Sequence, residues 1–127
     1  MSKVILDSSA LLAYLNAEPG GDVVEPLLQD AMISAVNVAE IVGRLIARSR
    51  TIDVIREIFD ILDLDIVDFD RAHAEKTGEL AELTKAHGLS LGDRACLALA
   101  GKEKLPAVTA HKAWAKLNVG IEIKLIR

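Results

Sequence analysis

Three carboxylates in this chain stand among apolar residues. Asp7 follows the apolar run at 4–6, Glu40 interrupts a stretch of Val, Ala and Ile, and Asp93 precedes the apolar residues 95–100. Carboxylates at the edge of a core need a cationic partner, because burial and neighbouring negative charges both oppose ionisation. The sequence offers no cluster of Cys or His, so a divalent ion bound through oxygen ligands is the favoured partner.

Taken singly, each acid also has an ordinary structural interpretation. An acid at a strand end or on an apolar helix face can pair with an arginine. An acid in the first turn of a helix is stabilised by the helix dipole. The metal hypothesis therefore depends on whether the fold brings the three acids together.

Short runs rich in β-branched residues alternate with longer helical patterns along the chain. This alternation predicts an α/β fold, an α/β/α sandwich with a central parallel sheet of four to five strands. Ligands bind at the carboxyl ends of such strands, where Asp7, Glu40 and the segment 109–111 are expected to converge. The strands are predicted at residues 3–6, 32–35, 66–69 and 107–109, with an edge strand at 121–125.

Capping residues and helix breakers delimit the predicted helices. The helices are predicted at residues 8–15, 22–29, 37 onward, 52–62, 70–88, 90–101 and 112–117. Their N-caps are expected at Ser8 or Ser9, Asp22, Asn37, Asp70 and Ser90. Gly88 is expected to end the helix that Asp70 begins. The inward face of that helix is predicted to carry Ala74, Leu80, Leu83 and Ala86.

Length and composition predict one globular domain covering residues 1–127. Hydrophobic residues form 51% of the chain but aromatic residues only 3%, a mixture that suits helices packed on a sheet. Too few apolar residues precede Asp7 for a signal peptide, and no apolar run reaches membrane-spanning length, so a cytoplasmic protein is expected. Cys96 lies in an apolar helical stretch and is interpreted as a small buried side chain without a chemical role.

The net charge of −4 is unevenly distributed along the chain. Residues 101–127 carry six Lys or Arg against two Asp or Glu, whereas residues 1–100 carry nine against seventeen. Arg44 and Arg48 form a second basic group on one predicted helix face. A solvated surface is the default interpretation of both groups, because basic residues are common near helix ends.

Several segments resemble the PIN-domain ribonucleases, and specifically the VapC-like toxins of prokaryotic toxin–antitoxin pairs. Each segment alone is a weak signal, but together they occur in the expected order and at about the expected separations. The resemblance covers essentially the whole chain. The matching segments are VILDSSALLAYL at 4–15, EPG at 18–20, SAVNVAE at 34–40, LSLGDRACLALA at 89–100 and VTAHKAW at 108–114.

The resemblance implies a metal-dependent endoribonuclease that uses Mg²⁺ or Mn²⁺ to cleave RNA. It also implies a homodimer and a cognate antitoxin protein as partner. Asp7, Glu40 and Asp93 match the acidic positions of the family and are predicted as catalytic residues and metal ligands. Glu40 would either complete the metal shell or orient and deprotonate the attacking water.

The resemblance also suggests supporting residues around these acids. Ser8 and Thr109 are expected to hold water molecules or the phosphate. Arg44, Arg48 and Lys112 are predicted to contact the RNA backbone. Trp114 is predicted to be a packing residue of the last helix.

One residue departs from the family pattern. The family commonly places a fourth acid two residues after the Thr of strand four, and this chain has His111 there. The change removes a negative charge, so binding of a second metal is expected to weaken or to move. His111 itself could coordinate a transition metal such as Mn²⁺, donate a hydrogen bond to phosphate, or have no role. His73 and His87 are predicted to be solvated.

Other functional classes fit the sequence less well. A phosphoacceptor receiver domain needs a second acid beside the first, and Asp7 is followed by Ser8 and Ser9. A phosphatase with an Asp nucleophile needs an acid where Ser9 stands. A PIN-like module that binds RNA or protein without cutting stays open, and His111 is its only support in the sequence.

Overall fold

The computed structural model describes residues 3–127, so Met1 and Ser2 of the predicted domain lie outside the described residues. One sheet is formed with the strand order β3-β2-β1-β4-β5, and each neighbouring pair is parallel. The predicted strands all occur to within two residues of their expected bounds. The strands are β1 (Val4–Leu6), β2 (Ala31–Ser34), β3 (Asp65–Val67), β4 (Ala107–Thr109) and β5 (Ile123–Leu125).

Six α-helices connect the strands within residues 3–127, and their arrangement confirms the α/β/α prediction. Three short 3-10 helices supplement them, at Glu25–Asp30, Lys85–His87 and Lys112–Lys116. In the part of the chain that is described, no helix is both long and apolar enough to cross a membrane. The α-helices are α1 (Ser8–Leu15), α2 (Gly21–Val24), α3 (Ala35–Ala47), α4 (Ile52–Leu62), α5 (Arg71–Thr84) and α6 (Leu91–Glu103).

The core lies on both faces of the sheet. Successive strand residues point to opposite faces, so Leu6 packs with residues of α1, α3 and α4. Ile5 packs with residues of α6 and with Trp114, which is 2% exposed, as its predicted packing role requires. Cys96 is fully buried among the same residues. Two apolar layers therefore hold the central strand, and its carboxyl end is a rigid position for a functional group.

Two predicted N-caps near the acids are wrong. α1 is capped by Asp7 rather than by Ser8 or Ser9, because the Asp7 carboxylate already accepts a hydrogen bond from the Ser9 amide. α3 is capped by Ser34 rather than by Asn37. Because α3 begins earlier than predicted, Asn37 lies inside the helix. Its side chain is buried and can bond to other residues instead of capping the helix.

Of the remaining N-caps, Asp70 and Ser90 are confirmed by side-chain hydrogen bonds, whereas Asp22 is wrong. α2 begins after Gly20, whose φ of 93° is accessible to glycine without strain. Asp22 therefore lies in the first helical turn. The predicted helix continues only as the 3-10 helix Glu25–Asp30.

The predicted inward face of α5 is correct at Leu80, which packs against the core, but wrong at Ala74 and Ala86, which are exposed. The buried residues of α5 are His73, Thr77 and Thr84, and Leu83 is 64% exposed. The two threonine hydroxyls donate to carbonyls four residues earlier, so they enter the core without an unsatisfied polar group. His73 is buried rather than solvated, because its Nε2 lies 2.9 Å from the carbonyl oxygen of Ala95.

The end of α5 follows the prediction more closely. A 3-10 turn extends the helix to His87, and Gly88 ends it at a φ of 61°. His87 is exposed, as predicted.

Candidate active site

Asp7 lies directly after the central strand β1, at the carboxyl edge of the sheet. Its carboxylate is 1% exposed, and Oδ2 accepts hydrogen bonds from Ser9 Oγ at 2.6 Å and Thr109 Oγ1 at 2.9 Å. Burial raises the pKa of Asp7; the Ser9 and Thr109 hydroxyls oppose the rise and the charge of Asp93 adds to it. A bound cation would therefore relieve an electrostatic cost that is already built into the fold.

Asp93 serves two purposes at the start of α6. Its Oδ2 accepts the amide of Ser90 at 3.0 Å, and Ser90 Oγ accepts the amide of Asp93 at 3.2 Å. This reciprocal capping box fixes the orientation of the carboxyl group. Oδ1 points the other way and lies 3.8 Å from Nε2 of His111. Asp93 is thus both a helix cap and a member of the acidic pocket.

His111 follows β4 and faces both acids. Its Nε2 lies 3.5 Å from Oδ2 of Asp7 and 3.8 Å from Oδ1 of Asp93. The amide of His111 donates to Thr109 Oγ1 at 3.1 Å, and the ring packs 5.7 Å from the Trp114 ring centre. Although the side chain is 49% exposed, backbone and ring contacts direct it toward the acids.

The donor atoms of this group fit a single divalent ion. Asp7, Asp93 and His111 each offer one ligand atom, and all three atoms lie within 4.8 Å of one another. Atoms on opposite sides of an ion with metal–oxygen distances of about 2.0–2.6 Å are about 4–5 Å apart. Two carboxylate oxygens and one imidazole nitrogen are a donor set suited to a first-row metal ion. Glu40, the third predicted ligand, does not belong to this group of atoms.

Glu40 lies on α3 at the same pocket but in a different hydrogen-bond network. Its Oε1 accepts hydrogen bonds from Ser8 Oγ at 2.6 Å and from Asn37 Nδ2 at 3.0 Å. Asn37 Nδ2 also lies 3.0 Å from the carbonyl oxygen of Gly92. A Cβ atom at Gly92 would overlap the Glu40 carboxylate. The position of Glu40 therefore depends on two donors and on a glycine.

These residues line one pocket of about 240 Å³. Of the predicted site residues, Thr109 is buried and contacts Asp7 without lining the pocket. Arg48 and Lys112 are exposed and do not line the pocket. A larger groove of about 610 Å³ lies between α5, α6 and residues 119–121, and none of the predicted catalytic residues lines it. The pocket is lined by Asp7, Ser8, Ser9, Leu12, Glu40, Arg44, Ser90, Asp93 and His111.

The negative charge of the pocket extends into the core beneath it. Burial raises the pKa of the Cys96 thiol well above its usual value, and the charges of Asp7, Asp93 and Glu40 add to the rise. The thiol is therefore kept protonated, which agrees with a structural role for Cys96.

Sequence patterns do not predict a role at this site for three of its residues, Ser9, Asn37 and Gly92. The sequence predicts Ser9 and Asn37 as possible helix caps and predicts no role for them at the pocket, although Asn37 precedes Glu40 by three residues and so shares its helix face. Gly92 lies in the first turn of α6, where glycine is less stable than alanine. That cost is a signal that the glycine has a packing reason.

The fold and this pocket define a class of protein that sequence comparison identifies. The family model for the PIN domain matches residues 4–119. The chain therefore belongs to the PIN-domain family. No curated protein matches the chain in sequence.

Solved structures with the same fold include chains of toxin–antitoxin complexes. VapBC2 from Rickettsia felis, bound to a DNA fragment from their promoter, matches with a TM-score of 0.72 at 20% identity, over 96% of this chain and 97% of that one. A toxin–antitoxin complex from Klebsiella pneumoniae matches with a TM-score of 0.73 at 20% identity, over 98% of each chain. FitAcB from Neisseria gonorrhoeae matches with a TM-score of 0.70 at 24% identity, over 97% of each chain.

Proposed function

We propose that this chain is a metal-dependent endoribonuclease and the toxin of a toxin–antitoxin pair. The observation that carries the proposal is the convergence of Asp7, Glu40 and Asp93 on one pocket at the carboxyl edge of a PIN-domain sheet. The toxin role is supported by the toxin–antitoxin complexes in which similar chains occur. The domain covers residues 1–127, and its cytoplasmic partners are the RNA substrate, an antitoxin and a second copy of the chain.

Asp7 and Asp93 would hold the ion, Mg²⁺ or Mn²⁺. They come from separate elements, but their carboxylates are fixed by hydrogen bonds from Ser9, Thr109 and Ser90. A bound divalent ion would neutralise the acids and stabilise the negative charge that develops on a phosphodiester during hydrolysis. The protein's own contribution is to keep the carboxylates in place before the substrate arrives.

Glu40 acts on the attacking water. Its Oε1 is occupied by Ser8 and Asn37, so Oε2 is the oxygen that orients the water and accepts its proton. Ser8 and Thr109 act through the acids rather than on the phosphate, because their hydroxyls donate to Glu40 and Asp7. The geometry thus favours one of the two roles that the sequence left open for Glu40.

Basic side chains position the RNA. Arg44 lines the pocket and binds the phosphate next to the scissile bond. Arg48 is the C-cap residue of α3, four residues after Arg44, and Lys112 follows His111, so both extend the contact along the RNA backbone. In a homodimer two such surfaces would form a longer groove.

A PIN module that binds RNA or protein without cutting is the second candidate. One observation favours it: His111 stands at a usual acidic position and contacts both Asp7 and Asp93. In that case the imidazole, and not a metal, would be the partner of the acids. A cleavage assay separates the two functions.

The test uses the purified chain, total cellular RNA, and added Mg²⁺, Mn²⁺ or chelator, with new 5′ ends mapped by sequencing. We expect metal-dependent cleavage by the wild type and a loss of at least about 10³-fold in Asp7→Asn, which lacks the ligand charge. Producing the wild type in cells should arrest translation, and producing the variant should not. The control is Asp68→Asn, which removes an exposed carboxylate outside the pocket. A folded Asp7→Asn protein that cuts RNA like the wild type would contradict the proposal.

A further inference from the structure

The imidazole of His111 is directed at both acids, an arrangement that a surface histidine without a role would not need. Nε2 is the nitrogen that faces the pocket, within 3.5 Å of Asp7 and 3.8 Å of Asp93. Ligands that are neighbours on one small ion are about 3 Å apart, since metal–ligand distances are near 2.1 Å. A small contraction would bring all three atoms onto one ion.

The hydrogen bonds that position Asp7 also position the backbone of His111. Thr109 Oγ1 donates to Asp7 and accepts the amide of His111. On the other side, the ring of His111 packs at an angle of 33° to the ring of the buried Trp114. One threonine therefore couples the backbone position of His111 to the carboxylate that it faces, which is how metal ligands are oriented by neighbouring groups.

We propose that His111 is a metal ligand and sets the ion preference of the site, which binds Mn²⁺ and Zn²⁺ in preference to Mg²⁺. The inference rests on the proposed nuclease function and adds the identity of the ion. Mg²⁺ is bound through oxygen ligands and dehydrates reluctantly. Imidazole nitrogen is a better ligand for first-row transition ions than for Mg²⁺, and it binds Zn²⁺ more strongly than Mn²⁺. Replacing an oxygen ligand by His111 therefore weakens Mg²⁺ binding more than Mn²⁺ binding, and weakens Zn²⁺ binding least.

Ion binding to the metal-free protein, measured by calorimetry, tests the preference without any assay of cleavage. The quantity that decides is the ratio of Kd for Mg²⁺ to Kd for Mn²⁺, because a new carboxylate attracts every divalent ion. We expect His111→Asp to lower this ratio about tenfold, chiefly through tighter Mg²⁺ binding. The matched control is His87→Asp, the same change at an exposed residue outside the pocket; it should leave the ratio unchanged.

A second measurement uses the wild type alone and so does not depend on the folding of a variant. The imidazole ¹⁵N spectrum contains only three histidines. On addition of Zn²⁺ the Nε2 signal of His111 should shift, while those of His73 and His87 should stay. His73 is an internal reference, because its Nε2 is already hydrogen-bonded to Ala95 in the core.

An unshifted His111 signal in saturating Zn²⁺, or an equal Kd ratio in wild type and His111→Asp, would overturn the inference. RNA cleavage measured on the same samples separates this failure from that of the nuclease proposal. If the wild type cuts RNA with metal but either binding test fails, only the role of His111 is wrong. If the ion binds as expected and no RNA is cut, the role of His111 stands and the nuclease proposal fails.

Discussion

The two halves of the pocket differ in how their charge is balanced. Asp7, Asp93 and His111 come from three separate elements, and the two acids repel each other across a gap that only a cation or the imidazole can bridge. Glu40, by contrast, is fixed by Ser8 and Asn37, whose donors satisfy one of its oxygens. Under the proposed function, a divalent ion from solution completes the first half. The second half is already fixed by hydrogen bonds within the protein. Substitutions in the two halves should therefore affect ion binding and RNA cleavage differently.

The largest expected effect comes from breaking each half in turn. Asp93→Asn should lose ion binding and RNA cleavage together. Glu40→Gln should lose about 10²–10⁴ in cleavage rate, the usual contribution of a general base, while still binding the ion. Calorimetry with Mn²⁺ and single-turnover cleavage on the same preparations would show the difference.

Asp93→Asn should not disturb the fold, because Asn can accept a hydrogen bond from the Ser90 amide and so preserve the cap of α6. Its melting temperature without metal should therefore stay close to that of the wild type. If Glu40→Gln loses ion binding as fully as Asp93→Asn, Glu40 is a direct ligand. The division of the pocket into two halves would then be wrong.

A smaller effect is expected from moving Glu40 without changing its chemistry. A methyl group at Gly92 would occupy the space of the Glu40 carboxylate, so Gly92→Ala should displace the base. A displacement of about 1 Å costs about 10²-fold in rate. Ion binding by Asp7 and Asp93 should persist.

The matched control for this substitution is Gly78→Ala on α5, where an added Cβ meets no atom within 4 Å. Both substitutions improve helix propensity by up to about 1 kcal/mol, but only Gly92→Ala should reduce cleavage. Full activity in Gly92→Ala would show that Glu40 does not need its present position.

The sequence predicts the sheet and the places of Asp7 and Asp93 on its elements, because both depend on local patterns. β1 is a short apolar run ended by Asp7, and Asp93 follows a serine cap by three residues, so both acids could be placed on an element. The spacing of apolar residues and the capping residues do not reveal contacts between separate helices and strands. The hydrogen bonds from Ser8 to Glu40 and from Asn37 to Ser8 cross between α1 and α3, and no spacing along the chain encodes them.

Where polar side chains enter the core, the sequence gives the wrong face. His73, Thr77 and Thr84 are buried in α5 because each finds a backbone carbonyl. Counting apolar positions assigns those sites to solvent and Leu83 to the core. The same limit applies to His111, whose direction depends on Thr109 and Trp114 and not on its place in the sequence.

The smallest expected effect is on the stability of the fold. It tests whether the charges of Asp7 and Asp93 destabilise the protein when no ion is present. Burial raises the pKa of Asp7 above the usual 3.8, so the folded protein disfavours its ionised form. In chelator at pH 8, Asp7→Asn should therefore be more stable than the wild type, because the buried charge is absent from the variant. Asn keeps the acceptor for Ser9 and Thr109 and removes the charge.

The pH dependence has a fixed sign. Folded Asp7 binds its proton more tightly than the unfolded chain does, so the wild type gains stability as pH falls from the raised pKa toward 3.8. The advantage of Asp7→Asn should shrink over that range in denaturant titrations. Adding Mn²⁺ at pH 8 should reverse the order, because an ion that binds only the folded wild type stabilises it by mass action. A wild type that is the more stable protein in chelator at pH 8 would mean that His111 already balances the acids.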